Sequence, residues 1–317
     1  MGDKANKAQM ISLLVIFAFW SSVFLCSCGQ RSVGSTSAIG LPFMVRTDAT
    51  LTFPSTGGNT GTTSQCPSGM IAIGGGGIQT GGIELFLSGA GPSGNNSGFP
   101  TDTWSLSWYP YTQGGGTATV STWAVCSRNI VGNGIVKTDA TLTFPSTGGN
   151  TVNMGTTSQC PSGMIAIGGG GIQTGGIELF ISGMGPSGNN SGFPTDSWSL
   201  SWYPSTQGGG TATVSTWAVC TLSIVGSSIV RTDATLTFPS TGGNTVTMGS
   251  TSQCPSGMIA IGGGGIQTGG IELLINGTGP GVNYSGFPGD SWTMSWYPFT
   301  QGGGTATVST WAVCAAN

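Results

Sequence analysis

The side chains able to do chemistry in this chain are few, and they recur on a fixed spacing. Carboxylates stand at Asp48, Glu84 and Asp102, again at Asp139, Glu178 and Asp196, and again at Asp233, Glu272 and Asp290. Two facing carboxylates could hydrolyse a glycosidic bond. Nothing in the spacing makes any two of these meet, and no activated nucleophile stands beside them. Histidine is absent. With no Cys-x-x-Cys either, a zinc site is excluded. Asp102 and the carbonyls of the Gly-Asn loop before it leave a calcium site open as a minor alternative, without the acidic spacing of a calcium loop. The expectation is a protein that is not an enzyme and uses no metal or cofactor.

Binding is the better use of what remains. Trp104, Trp198 and Trp292 share a strand face with Trp108, Trp202 and Trp296, which is the pattern of core packing. Trp123, Trp217 and Trp311 lie on the threonine side of their strand. They are the candidates for an exposed platform that stacks on a sugar ring, unless a second sheet or a neighbouring module covers them. Asn96, Asn190 and Tyr284 occupy matching places in a long Gly/Pro/Asn/Ser loop and complete the candidate ligand-binding set. The pairs Arg46–Asp48, Lys137–Asp139 and Arg231–Asp233 read as exposed ion pairs, which contribute little. The run Gly74 to Gly77 has no following Lys-Ser/Thr and no helix, so it is no phosphate loop. Thr117, Thr119 and Ser121 form a row that ordinary strand propensity accounts for.

These residues recur because the chain is one module written three times, with an offset of 94 residues from the first bracketing cysteine on and of 91 between the openings of the first two copies, since the first lacks the three residues matching Val246 to Met248. The stretch Cys-Pro-Ser-Gly-Met-Ile-Ala-Ile-Gly-Gly-Gly-Gly begins at Cys66, Cys160 and Cys254. Each is followed 60 residues later by a second cysteine, at Cys126, Cys220 and Cys314. Six cysteines allow many pairings. The repeat favours Cys66 with Cys126, Cys160 with Cys220 and Cys254 with Cys314. The rival joins modules, as in Cys126 with Cys160, and strands Cys66 and Cys314.

Such bridges need an oxidising compartment, and the N-terminus agrees. Lys4 and Lys7 precede an apolar run from Met10 to Leu25, too short for an ordinary spanning helix. The ending Phe-Leu-Cys-Ser-Cys-Gly resembles a bacterial lipoprotein signal. That resemblance implies cleavage before Cys28 and acylation of Cys28, with export to the outer membrane or cell surface. The alternative is an ordinary secretory peptide cut nearby.

Within each module the hydrophobic pattern has period two. In the third copy Val230, Thr232, Ala234, Leu236 and Phe238 alternate with Arg231, Asp233, Thr235 and Thr237, as in a half-buried strand. Further strands are expected at Val246 to Met248, at an edge, and from Met258 into the glycines, where a bulge or a close backbone approach is expected. Others are expected at Ile271 to Ile275, Ser291 to Tyr297 and Thr305 to Cys314, with a long loop over Asn276 to Asp290. Short strands joined by glycine turns predict an antiparallel sandwich or barrel. The expected organisation is a signal segment (1–28), a tether (29–42) and three all-β modules (43–126, 127–220, 221–317). Short apolar links suggest packed modules, in a rod or a pseudo-threefold cluster.

Between Thr138–Cys220 and Thr232–Cys314, 12 of 83 positions differ, most of them between Phe180 and Ser205. Drift around one loop fits a binding loop on a scaffold, or an exposed loop under no constraint. Only 5% of residues are charged and the net charge is −3, so nucleic acid is not an expected partner. The frame Cys-Pro-x-Gly, Gly-Gly-Gly, Trp-x-Val-Cys is similar to small modules of exported bacterial and phage-tail-like proteins. The likeness implies an extracellular β-module and no activity. The expected role is adhesion or recognition of a glycan or cell-surface polymer. The alternative is a self-associating coat or fibre subunit.

Overall fold

The computed structural model describes residues 43–55, 58–93, 102–111, 114–128, 134–146, 153–187, 196–205, 209–222, 228–240, 247–281, 289–299 and 303–316. The signal segment, the tether, Cys28, Asn96, Asn190 and Tyr284 lie outside them.

Every described element is a strand. The first module contributes β1 (Phe43–Phe53), β2 (Thr60–Gln65), β3 (Ile71–Gly82), β4 (Leu85–Ser93), β5 (Thr103–Pro110) and β6 (Gly116–Ser127). The second contributes β7 (Gly134–Phe144), β8 (Met154–Gln159), β9 (Ile165–Gly176), β10 (Leu179–Ser187), β11 (Ser197–Pro204) and β12 (Gly210–Thr221). The third contributes β13 (Ser228–Phe238), β14 (Met248–Gln253), β15 (Met258–Gly270), β16 (Leu273–Pro280), β17 (Ser291–Pro298) and β18 (Gly304–Ala316). All pairings are antiparallel.

Two strand limits depart from the sequence expectation. The edge strand begins at Met248 rather than ending there. The strand expected to end at Ile275 runs on to Pro280, so Asn276–Pro280 is not loop. Asn-Gly-Thr-Gly-Pro has turn chemistry, but its glycines serve another purpose.

Each module folds as two three-stranded sheets face to face, and neither half ends at the module boundary. The sheets run β1-β6-β3-β16-β17-β14, β2-β5-β4-β9-β12-β7 and β13-β18-β15-β10-β11-β8. Every sheet is therefore half one module and half another, and the third module closes back onto the first. The modules form a pseudo-threefold ring, with seams at β3/β16, β4/β9 and β10/β15. Glycine permits that closeness. A Cβ at Gly76, Gly170 or Gly264 would enter the carbonyl of Thr278, Ala90 or Met184 across a seam. A Cβ at Gly74, Gly168 or Gly262 would meet the carbonyl of Ile261, Ile73 or Ile167, a closed cycle around the axis. The expected bulge is also present, where the register shifts between Ala72 and Gly74 and at the matching positions of β9 and β15.

One continuous core runs through all three modules. Within each, a buried polar chain ties the two half-sheets together. Trp108 Nε1 donates to Thr62 Oγ1 at 2.9 Å, and that hydroxyl lies 2.7 Å from Thr122 Oγ1. Trp202–Thr156–Thr216 and Trp296–Ser250–Thr310 repeat it. The disulfides are Cys66–Cys126, Cys160–Cys220 and Cys254–Cys314, the pairing within modules. Three disulfides suggest an extracellular or periplasmic protein.

Candidate binding site at the module seams

Strand registers place a fixed set of side chains on the outer face of each sheet. One row across the second sheet reads Asp139, Ser215, Ile172, Gly89, Ser107, Gly61, one residue per strand. The row Asp48, Ser121, Ile78, Gly277, Ser295, Gly249 matches it on the first sheet. Asp233, Ser309, Ile266, Gly183, Ser201, Gly155 match it on the third. At about 4.8 Å per strand, the stretch from Asp139 to Ser107 spans about 19 Å.

The tryptophans expected as open platforms stand one row further on. Trp217 pairs with Lys137 and Gly170. It is not an exposed platform, because it is only 7% exposed, and Trp123 and Trp311 are equally enclosed. The cover comes from the next module. A Cβ at Gly91 would stand 3.2 Å from Cε3 of Trp217, and Gly185 and Gly279 lie equally close to Trp311 and Trp123. The Arg46 and Arg231 guanidinium carbons lie 5.8 and 5.9 Å from the ring centroids of Trp123 and Trp311. These indoles are wedges that lock each seam, and only an edge remains to line a surface.

That edge borders a trough. Along the β4/β9 seam lies a groove of about 390 Å³. Its floor includes Gly89 and Gly91, Ser105 and Ser107 line one side, and Ile172 and Trp217 the other. Among the described residues Ile172 and Ile266 are two of three exposed large aliphatic side chains, at 40% and 39%. At the far end of the row Asp139 accepts from Ser215 Oγ at 2.6 Å and pairs with Lys137 at 3.0 Å. The Ser215 hydroxyl first, and Lys137 second, hold its carboxyl below the usual range. Ser309 and Arg231 do the same for Asp233. The three ion pairs are exposed, as expected, and Lys137–Asp139 lies in register with the trough.

The recurring carboxylates go to three separate places. Asp48 is on the outer face with Ser121 and Arg46. Asp102 accepts from Gln65 Nε2 at 3.0 Å beside the disulfide. Glu84 is at one end of the axis. No group of three or more His, Cys, Asp or Glu among the described residues could hold a metal.

The axis end holds an aromatic cluster that sequence reasoning missed. Phe86, Phe180 and Leu274 converge there with Tyr203 and Tyr297, flanked by Tyr109, Tyr111 and Phe299. Glu84, Glu178 and Glu272 rim it, and burial holds all three carboxyls above the usual carboxylate range. Hydrogen bonds from Tyr297 to Glu84, from Tyr203 to Glu272 and from Asn59 to Glu178 partly offset that rise. The signal was available in the variation between copies. Phe180, Ser182, Met184 and Leu200, among the differing positions, are buried strand residues of β10 and β11 at the axis and seam. They are not part of a drifting loop.

No family model matches this sequence, and a search of curated proteins finds no match. The likeness to modules of exported proteins rests on the cysteine frame alone.

Proposed function

We propose that this is an exported bacterial surface protein, held to the envelope by an acylated Cys28. It recognises a glycan or a similar neutral cell-surface polymer without catalysis. The trough at the seam carries the reading. Its serine hydroxyls face an aliphatic and indole wall, and a pyranose likewise presents hydroxyl edges and apolar C–H faces. Pockets for small ligands combine these features, apolar walls with a few placed polar groups. The row recurs on all three sheets, so several weak contacts could act together.

The test is binding of the full chain to a broad panel of neutral and acidic glycans. Filling the trough by Ser107→Tyr, Ser201→Tyr and Ser295→Tyr together is expected to abolish binding while the fold is retained. Binding that survives the triple change would overturn the assignment of the trough. A second reading, self-association, is favoured by exposed Leu222, Ile172 and Ile266 on a chain of very low charge. It predicts a scattering mass that rises with concentration and no response to any glycan.

A further inference from the structure

The three corners of the axis end differ, and one of them lacks the ring that the other two carry. Tyr111, Ser205 and Phe299 are equivalent: each backbone N–H donates to the carbonyl of its module's glutamate, Glu84, Glu178 or Glu272, at 2.8–2.9 Å. Tyr111 packs its ring 5.4 Å from Phe86 and 5.4 Å from Tyr297, and Phe299 stands 4.7 Å from Tyr203. Ser205 has no ring to set against Phe180 and Tyr109, the corresponding pair, which lie 5.3 Å apart. Exposure follows. Tyr203 and Tyr297 are each 1% exposed, whereas Tyr109 is only half-buried. Phe180 is 5% exposed, against 1% for Phe86 and 0% for Leu274.

The same corner has a different hydrogen-bond pattern. Glu84 and Glu272 receive tyrosine hydroxyls from the neighbouring module, but Glu178 receives Asn59 Nδ2 at 2.8 Å. Tyr109 still feels that carboxylate, which adds to the effect of burial in raising its phenol. Among the described residues the ion pairs join Asp48, Asp139 and Asp233, and none involves Glu178.

We propose that the corner at Ser205 binds a small organic ammonium cation, with its charge toward the Glu178 carboxylate and its methyl or methylene groups against Tyr109 and Phe180. A corner that lacks the ring of its two counterparts, with two aromatic side chains and one half-buried carboxylate beside it, is chemically matched to such an ion. Ring faces attract cations electrostatically, and more strongly where water is thinned out. A neutral ligand has no charge to pair with the carboxylate, and none of these residues lines the seam trough. The other two corners fill the matching place with their own rings.

The experiment is calorimetric titration of the full chain with tetramethylammonium chloride at neutral pH, at constant ionic strength. 3,3-Dimethylbutan-1-ol serves as the uncharged comparator of the same shape. Saturable binding of the cation alone is expected. Ser205→Phe, which copies the residue of the third module and so suits the fold, is expected to weaken it by at least about tenfold. Glu178→Gln is expected to weaken it by about the same factor with no ring added. No saturable binding at tens of millimolar would overturn the proposal. So would equal binding of the alcohol, or affinity unchanged by either substitution.

Discussion

Among the described residues four tryptophans, Trp104, Trp123, Trp198 and Trp217, have buried indole N–H groups with no partner. In the third module Trp292 Nε1 donates to Thr278 Oγ1 at 2.9 Å. Its equivalents Trp104 and Trp198 face Ala90 and Met184 at that position, and both Nε1 atoms lack an acceptor. A buried donor without a partner costs about 1–3 kcal/mol. Ala90→Thr supplies the missing hydroxyl in a place where the third module already accommodates it. The change is expected to raise unfolding stability by about 1 kcal/mol, read as a higher urea midpoint at unchanged slope. The axis glutamates give a pH dependence of known sign. Their carboxyls titrate higher folded than unfolded, so the folded state binds more protons. That contribution is full below about pH 4 and declines as pH rises through the folded values. Asp139 and Asp233 act oppositely, and their contribution is lost as pH falls below about 4. The melting temperature is therefore expected to fall as pH rises from about 4 through the folded values of the glutamates. The triple change Glu84→Gln, Glu178→Gln and Glu272→Gln should flatten that fall.

At the scale of elements, the seam strands are selected for what they lack. Gly76→Ala would drive a methyl group into the Thr278 carbonyl across a seam. It is expected to cost about 3 kcal/mol or more. Gly61→Ala meets only the Leu106 carbonyl, at 3.6 Å, and should stay within about 0.5 kcal/mol. Chemical denaturation of the two variants checks the contrast. This scale also shows what the sequence could disclose. Alternation in Thr232 to Phe238 reports a half-buried strand, because one face must avoid water whatever lies beyond the module. The spacing of Cys66 and Cys126 reports a bridge, because the repeat leaves few consistent pairings. The glycines of β3 signal a close approach but not its partner. Gly76 looks the same whether Thr278 or a residue of its own module stands opposite. Whether a neighbouring module covers Trp123 stays open in the sequence for the same reason, since its cover is Gly279, far off along the chain.

For the molecule as a whole, the decisive relation is the rotation from one module to the next. Three near-identical copies could equally stack as a rod, and strand periodicity does not contain that angle. A single module bears two half-sheets with open seam strands and an uncovered tryptophan wedge, so it is complementary to itself. The segment 127–220 produced alone, with its disulfide formed, is expected to sediment as a homotrimer. A stable folded monomer in analytical ultracentrifugation would show that the seams add little.

Closure also bears on heredity. Copies as alike as the second and third invite unequal recombination, which adds or deletes whole units. A solenoid tolerates such changes, because each unit needs only its neighbours. A ring closed by rotation does not. A two-unit descendant would carry two unsatisfied seams, and a fourth unit would have no place to dock. The copy number is thus policed by geometry at every generation, independently of whatever the molecule binds.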